Sequence, residues 1–440
     1  MGVKLRGNFM QQLFTMRLLA TAMVLMVSAV YAKEDLPTAK AESVGMSTPR
    51  LERVSAWIDR YIETDQIAGA VTLIARRGKV VHYEAQGWRH KEANEPMPED
   101  AIFTIMSMTK PIVSVALLML QEEGRFLLDD PISRWLPEYA EPQVMVQEGA
   151  FVRRVPAARP ITIRHVLTHT SGLSTRPNNV TLSAEERSVY EGDGTAPATV
   201  EENLHRASVI PLAFHPGDQW QYGSSTDYVA LLVERISGER LDQYLQRRIF
   251  DPLGMKDTHY YVPEDKVERV SAVYRPNEEG MIELRIAPSY RPPGTMFRGV
   301  AGLSSTAADY FKFAQMLLNG GELNGERLLG RRTVEQAISN HIKPGQPVYV
   351  RGPGYGFGLG FGVLLDPTKS QDTLSRGSFT WGGAFGTLFW IDPVEQLIGV
   401  LMVQISPYSH FNLRPELSAL ASQAIIDPHP VAPVIIGQLD

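Results

Sequence analysis

Strand-like runs lie near both ends of this chain and not in its middle, and this split constrains the fold more than any other feature. Ala70 to Ala75 and Val80 to Ala85 are short apolar runs joined by Arg77-Gly78-Lys79, which reads as a hairpin turn. Strand character returns in Phe379 to Ile391 and Leu397 to Ile405, with a break at Asp392-Pro393. From about 125 to 295 the chain is punctuated by proline, helical in pieces and rich in polar loops; residues 140–160 and 176–200 read as long loops or insertions. The pattern predicts one discontinuous α/β domain, residues 33–110 and 296–440, interrupted by a mainly helical domain, residues 111–295. No repeat with a period of about 20–50 residues is visible.

Helices frame these runs. Thr48-Pro49 reads as a capping residue followed by a first-turn proline. Leu51, Val54, Trp57, Ile58, Tyr61 and Ile62 then recur at helical spacing. Pro111 to Gln121 is a strongly apolar helix closed by Gly124, and Leu413 to Ile426 reads as a closing helix.

Residues 1–32 have the pattern of a secretory signal. Lys4, Arg6 and Arg17 precede the apolar run Leu18 to Ala32, which ends Val30-Tyr31-Ala32 with small residues at the two positions a signal peptidase reads. The run falls short of the roughly 20 residues of a bilayer span. The expectation is export to the periplasm or medium with cleavage near Ala32, and an uncleaved anchor is the alternative. Cleavage removes three positive and no negative charges, taking the net charge from −6 to −9. Such a chain has no basic footprint for nucleic acid. It also has no cysteine, which excludes a disulfide scaffold, a thiol nucleophile, a thiolate zinc site and an iron–sulfur cluster. The chemistry must use oxygen, amine or imidazole groups.

Several common devices are missing. No serine sits in Gly-x-Ser-x-Gly, and there is no phosphate-binding Walker loop. Gly354 to Gly362 alternates glycine with Tyr355, Phe357, Leu359 and Phe361, which reads as a strand with one bare face. His165 and His169 have the spacing of two zinc ligands on a helix, but no glutamate follows His165 and no third ligand is apparent, so a structural role is expected. No metal or cofactor is expected. Asn179-Val180-Thr181 is a glycosylation sequon, relevant only in a eukaryotic secretory pathway.

Ser107-Met108-Thr109-Lys110 is the chain's only Ser-x-x-Lys. Positions three apart share a helix face, so the amine can reach the hydroxyl, and a serine needs an adjacent base to act as a nucleophile. The motif alone is weak, since a capping serine with a solvated lysine is the plain reading. Its context strengthens it. Ser107 follows the strand-like Ala101 to Met106 and precedes the Pro111 helix, which places it at a helix N-terminus with a free amide. Two further segments stand out. Phe214 to Ser224 presents Tyr222 in a loop entering a helix, and Ser378 to Ala384 reads as a strand with Gly382 and Gly383 in its interior.

These three segments, in this order, resemble the active-site motifs of the serine β-lactamase/penicillin-binding superfamily, and most closely those of family VIII carboxylesterases. Leu128-Asp129-Asp130-Pro131, Trp135-Leu136-Pro137-Glu138, Ile161 to Leu173 with its Thr-His-Thr-Ser-Gly-Leu core, and Ala301 to Thr306 resemble the same superfamily, over roughly residues 40–425. The resemblance implies a class C β-lactamase-like α/β fold: an antiparallel sheet flanked by N- and C-terminal helices, with an inserted helical domain. It implies Ser107 as nucleophile, Lys110 and Tyr222 sharing the acid–base work, and the amides of Ser107 and Ala384 as an oxyanion hole. Gly382 and Gly383 let their strand approach the acyl group, and Trp381, Ser224 and Trp220 contact substrate.

Two departures bear on the substrate. Ser224 stands where the β-lactamases of this fold have asparagine, and Trp381 stands where they have a lysine that attracts a carboxylate. Both favour uncharged esters over β-lactams and D-Ala-D-Ala ends. The expected activity is hydrolysis of small carboxylic esters through a Ser107 acyl-enzyme. The alternatives are a β-lactamase or D-Ala-D-Ala peptidase, a transesterase or amide hydrolase on a small metabolite, and a non-catalytic binder. The binder is opposed by the presence of Ser107, Lys110 and Tyr222. His410, Asn412 and Arg414 sit beside the last strand and read as a solvated loop, with contact to substrate as the alternative.

Overall fold

Helix α1 (Thr48–Glu63) leads into the strands β1 (Gly69–Arg76), β2 (Lys79–His90) and β3 (Glu95–Pro96). Helices α2 (Thr109–Glu122), α3 (Ser225–Ser237) and α4 (Ala307–Leu318) follow. The chain then returns in β4 (Tyr355–Phe357), β5 (Gly362–Leu364), β6 (Phe379–Gly382), β7 (Leu388–Asp392) and β8 (Leu397–Val403), and α5 (Leu413–Ser422) closes it. This computed structural model describes residues 36–149, 151–177 and 181–428. The expected export signal and Asn179 and Val180 of the sequon lie outside the described residues.

The strands form one antiparallel sheet in the order β4-β5-β6-β7-β8-β1-β2-β3. An early and a late strand meet at its centre, where Ala70 pairs with Val403 and Arg76 with Leu397. Every residue of β1, β7 and β8 is buried, so both faces of the sheet are covered. Helices α1 and α5 pack on it and on each other, and α4 packs on β1, β7 and β8. Glu416 of α5 accepts from Trp57 Nε1 at 2.6 Å and from Tyr61 Oη at 2.8 Å, which ties α1 to α5. The fully buried Arg76 reaches Glu395 and Asp427, each at 2.7 Å, and so fixes the C-terminal segment to the sheet.

The antiparallel sheet with flanking helices agrees with the expected fold, and the β1–β2 hairpin falls where the sequence predicts it. Arg77 and Gly78 both have positive φ, 52° and 72°, the conformation of a tight hairpin turn matched to strand twist. The apolar stripe of α1 is buried at Leu51, Val54, Trp57, Ile58 and Tyr61.

Other expectations are corrected. The residue preceding α1 is Ser47, without a side-chain cap, while Thr48 bonds to Glu42. Phe379 to Ile391 is two strands, because the chain turns at Gly383 to Thr387. Gly354 to Gly362 is the start of a hairpin and not one strand; a Cβ at Gly358 would meet the Ala337 carbonyl at 2.1 Å. Of Ala101 to Met106, Phe103–Thr104 pairs with Ser304–Ser305 and Ile102 makes a single bridge to Val270. The supposed loops contain a hairpin, Gln143–Glu148 with Phe151–Pro156, and a helix, Ala184–Glu191, with a Ser183/Glu186 capping box. The closing helix ends at Ser422.

Gly399 of β8 faces Trp390 of β7, and a Cβ built there lies 2.3 Å from the indole. Gly399→Ala overpacks this contact and is expected to cost about 1–3 kcal/mol in urea unfolding. Trp390→Phe added to it is expected to recover part of that loss, and an additive double variant refutes the assignment.

Candidate active site

The chain leaves the Phe103–Thr104 bridge and turns sharply at Met106, whose φ of 46° is left-handed for a residue with a side chain. Such a conformation persists only where neighbours enforce it. Ile105 N donates to Leu303 O at 3.0 Å, Thr387 Oγ1 donates to Ile105 O at 3.3 Å, and Tyr310 Oη donates to Met108 O at 3.0 Å. The turn then runs through a short 3-10 segment, Met106–Met108, into α2. Ser107 therefore stands in the first turn of a helical segment, where amides lack intrahelical acceptors.

Helix α2 is buried from Thr109 to Leu120, as expected for a helix that is apolar all round. Lys110 is the charged residue in that span and is 4% exposed. Its Nζ lies 3.0 Å from Ser107 Oγ, 2.8 Å from Val300 O and 4.7 Å from the centre of the Tyr222 ring. Among the described residues no carboxylate lies within ion-pair distance of it.

Tyr222 is held by an aromatic cage. Its ring stacks on Trp220 (6.2 Å, 11°), meets His169 edge-on (5.1 Å) and tilts against Trp381 (5.3 Å). Trp381 Nε1 donates to Tyr222 Oη at 3.4 Å, and Tyr222 N donates to Tyr349 Oη at 3.0 Å. Phe357 of β4 backs the cage against His169, Trp220 and Trp381. His165 and His169 have separate structural roles. His165 forms a capping box with Thr162, while His169, with a φ of 57°, accepts from Gln221 N through its carbonyl.

The third segment packs against the bend that carries Ser107. A Cβ at Gly383 would lie 2.5 Å from Ile105 O and 2.2 Å from Thr387 Oγ1, so only glycine lets β6 and its turn reach the Met106–Ser107 bend. Ser107, Tyr222, Trp381, Gly382, Gly383 and Ala384 all line one cavity of about 580 Å³. Trp220 and Ser224 do not line it. Trp220 lies behind Tyr222, and the Ser224 hydroxyl is buried without a hydrogen-bond partner. Asn412 and Arg414, read from sequence as solvated, line the cavity, as does Arg351, which the sequence analysis missed. His410 is not among the lining residues and rests on Phe411.

Ser107 and Tyr222 at one cavity, with the buried Lys110 amine 3.0 Å from the Ser107 hydroxyl, form an arrangement suited to a serine hydrolase. The Beta-lactamase family model matches residues 54–423, and the chain belongs to that family. It is 34% identical over 374 residues to Protein Rv1367c of Mycobacterium tuberculosis, covering 81% of this chain and 90% of that protein. It is 31% identical over 359 residues to Esterase EstB of Burkholderia gladioli, covering 77% of this chain and 86% of that one. Among solved structures it is similar to EstCE1, described as a hydrolase with promiscuous acyltransferase activity, with 26% identity, a TM-score of 0.72 and coverage of 86% of this chain and 99% of that one.

Burial, with the Lys110 charge adding to it, pushes the His169 imidazole down to about 3. An unfolded histidine titrates near 6.5. Below that pH the unfolded chain binds a proton that the folded chain does not, so stability falls as pH drops from about 6.5. His169→Gln is expected to lose about 1–2 kcal/mol less stability than the parent between pH 7 and pH 5, read from urea midpoints. Equal losses in the two proteins disprove the assignment.

Proposed function

We propose that this protein hydrolyses carboxylic esters of small substrates through a Ser107 acyl-enzyme. The observation that carries the proposal is the 3.0 Å contact between the buried Lys110 Nζ and Ser107 Oγ. Ser107 Oγ attacks the ester carbonyl while its proton passes to the Lys110–Tyr222 pair. The tetrahedral oxyanion is met by the amides of Ser107 and Ala384, a kind of donor typically worth about 10²–10³ in rate. Tyr222, at the same cavity and beside the Lys110 amine, serves the proton transfer to the departing alkoxide. The alcohol leaves, water attacks the acyl-enzyme, and Ser107 and the acid are released.

Relatives support the ester chemistry: EstB bears the name of an esterase, and EstCE1 is described as a hydrolase. The acyltransferase activity in the description of EstCE1 favours a second reading, in which an alcohol replaces water as the acyl acceptor. The apolar run Leu18 to Ala32 supports an exported enzyme.

Ser107→Ala is expected to abolish hydrolysis of p-nitrophenyl butyrate. Lys110→Ala and Tyr222→Phe are each expected to lower kcat/KM by about 10²–10⁴, the span of general acid–base catalysis. Retained turnover in Ser107→Ala sinks the mechanism. Gly383→Ala is expected to lower kcat/KM at least tenfold with the circular dichroism spectrum intact, since its Cβ must push the turn off Ile105 O; full activity would show that the close approach is dispensable. In a side-by-side assay, benzylpenicillin and nitrocefin are expected to be turned over less efficiently than p-nitrophenyl butyrate, and the reverse order makes the protein a β-lactamase.

A further inference from the structure

Asp227 is a buried carboxylate that the ester chemistry leaves without a role. It stands in the first turn of α3, five residues after Tyr222, with its side chain fully enclosed. The carboxylate turns to the segment Arg298-Gly299-Val300. Its Oδ2 accepts from Arg298 Nε at 3.1 Å and from Arg298 Nη2 at 2.7 Å, and its Oδ1 accepts from Val300 N at 3.0 Å. The ion pair is a weak reason to bury an acid there, because the Arg298 side chain is 43% exposed and partly solvated, and pairs open to water contribute little.

The bond to Val300 leads further. The carbonyl of that same residue accepts from Lys110 Nζ at 2.8 Å. Val300 is thus held by its amide at Asp227 and offers its carbonyl to the amine. Gly299 presses the segment flat on α3: a Cβ there would lie 2.0 Å from Thr226 O and 3.0 Å from Ala230 Cβ. On either side, Tyr260 Oη donates to Arg298 O at 2.9 Å, and Leu303 N donates to Thr109 Oγ1 at 3.3 Å. The segment therefore ties the helix that follows Tyr222 to the helix that carries Lys110. A lysine amine is a compact charge on a flexible four-carbon stem, so its aim at Ser107 Oγ depends on what else holds it. A misplacement of about 1 Å can cost about a hundredfold in rate.

We propose that Asp227 is a positioning residue: by holding the Val300 amide it fixes the Val300 carbonyl, which keeps the Lys110 amine on the Ser107 hydroxyl. Asp227 does not line the cavity and acts on the reaction only through Lys110. The proposal rests on the Ser107–Lys110 pair of the esterase reading above and adds the group that sets its geometry.

The test compares three variants on p-nitrophenyl butyrate. Asp227→Val is close in shape and has no acceptor. Asp227→Asn keeps an oxygen for Val300 N. Arg298→Ala removes the ion pair and leaves the bond to Val300. Asp227→Val is expected to lower kcat at least tenfold with KM within twofold of the parent. Asp227→Asn is expected to keep at least a third of the parent kcat, and Arg298→Ala to stay within threefold of it. Where Asp227→Val lowers soluble yield, Asp227→Ser, whose hydroxyl falls one bond short of Val300, takes its place with the same expectation.

Reaction of Ser107 with a fluorophosphonate probe then reads the nucleophile without any ester. Its rate is expected to fall at least tenfold in Asp227→Val, and that loss is expected to vanish where Lys110 is already replaced, so that Lys110→Ala and the double variant label equally fast. A general structural fault would slow labelling in both backgrounds. An unchanged kcat in Asp227→Val, a loss as large in Asp227→Asn or Arg298→Ala, or a loss that persists beside Lys110→Ala overturns the proposal. Labelling that depends on Asp227 through Lys110, in a protein that turns over no ester, would overturn the esterase reading and keep the role of Asp227. Full ester turnover in Asp227→Val would do the opposite.

Discussion

A lysine amine enclosed in the first turn of a largely apolar helix is the constraint on which the rest of the site depends. Every neighbour of Lys110 in α2 is buried, so its charge or its lone pair must be met by what the fold brings to it. Three groups do so: the Ser107 hydroxyl from the turn before it, and the Val300 carbonyl and the Tyr222 ring from two distant segments. None is an acid. The arrangement is poor as a stabilising device and good as a chemical one, consistent with the tendency of polar strain to collect at functional sites.

The same economy explains the bend before Ser107. Met106 takes a left-handed conformation that favours glycine, while the glycine is spent at position 383, where the opposing turn comes within 2.5 Å of Ile105 O if a Cβ is added. The two positions answer one demand, which is that the β6 turn and the Ser107 bend approach until a small acyl group can touch both. The strain at Met106 is contained by hydrogen bonds to Leu303, Thr387 and Tyr310 from three separate elements, so the bend is set by tertiary structure and not by local preference.

That distinction governs what was legible in the sequence. The α1 stripe and the Arg77-Gly78 hairpin were readable because their signals are local: helical spacing in one, two left-handed residues in the other. The three active-site segments were readable as ordered motifs. The turn at Gly383 to Thr387 was not, because the residues around it are as apolar as the strands they join. Nor was the hairpin within Gly354 to Leu364, whose alternating glycines mimic a single strand. The role of His169 was hidden as well. Its spacing from His165 suggested a pair, but His165 turns back to cap its own short helix while His169 enters the aromatic cage of Tyr222.

Charge at the cavity was the least legible property, and the reason is geometric. A sequence comparison at one position, Trp381 for lysine, predicts a neutral site if each position is judged alone. The field in a cavity is set instead by every group that reaches it, and Arg351 and Arg414 arrive from a loop before β4 and from the start of α5. Trp381 and Tyr222 line the same cavity, with Phe357 behind them.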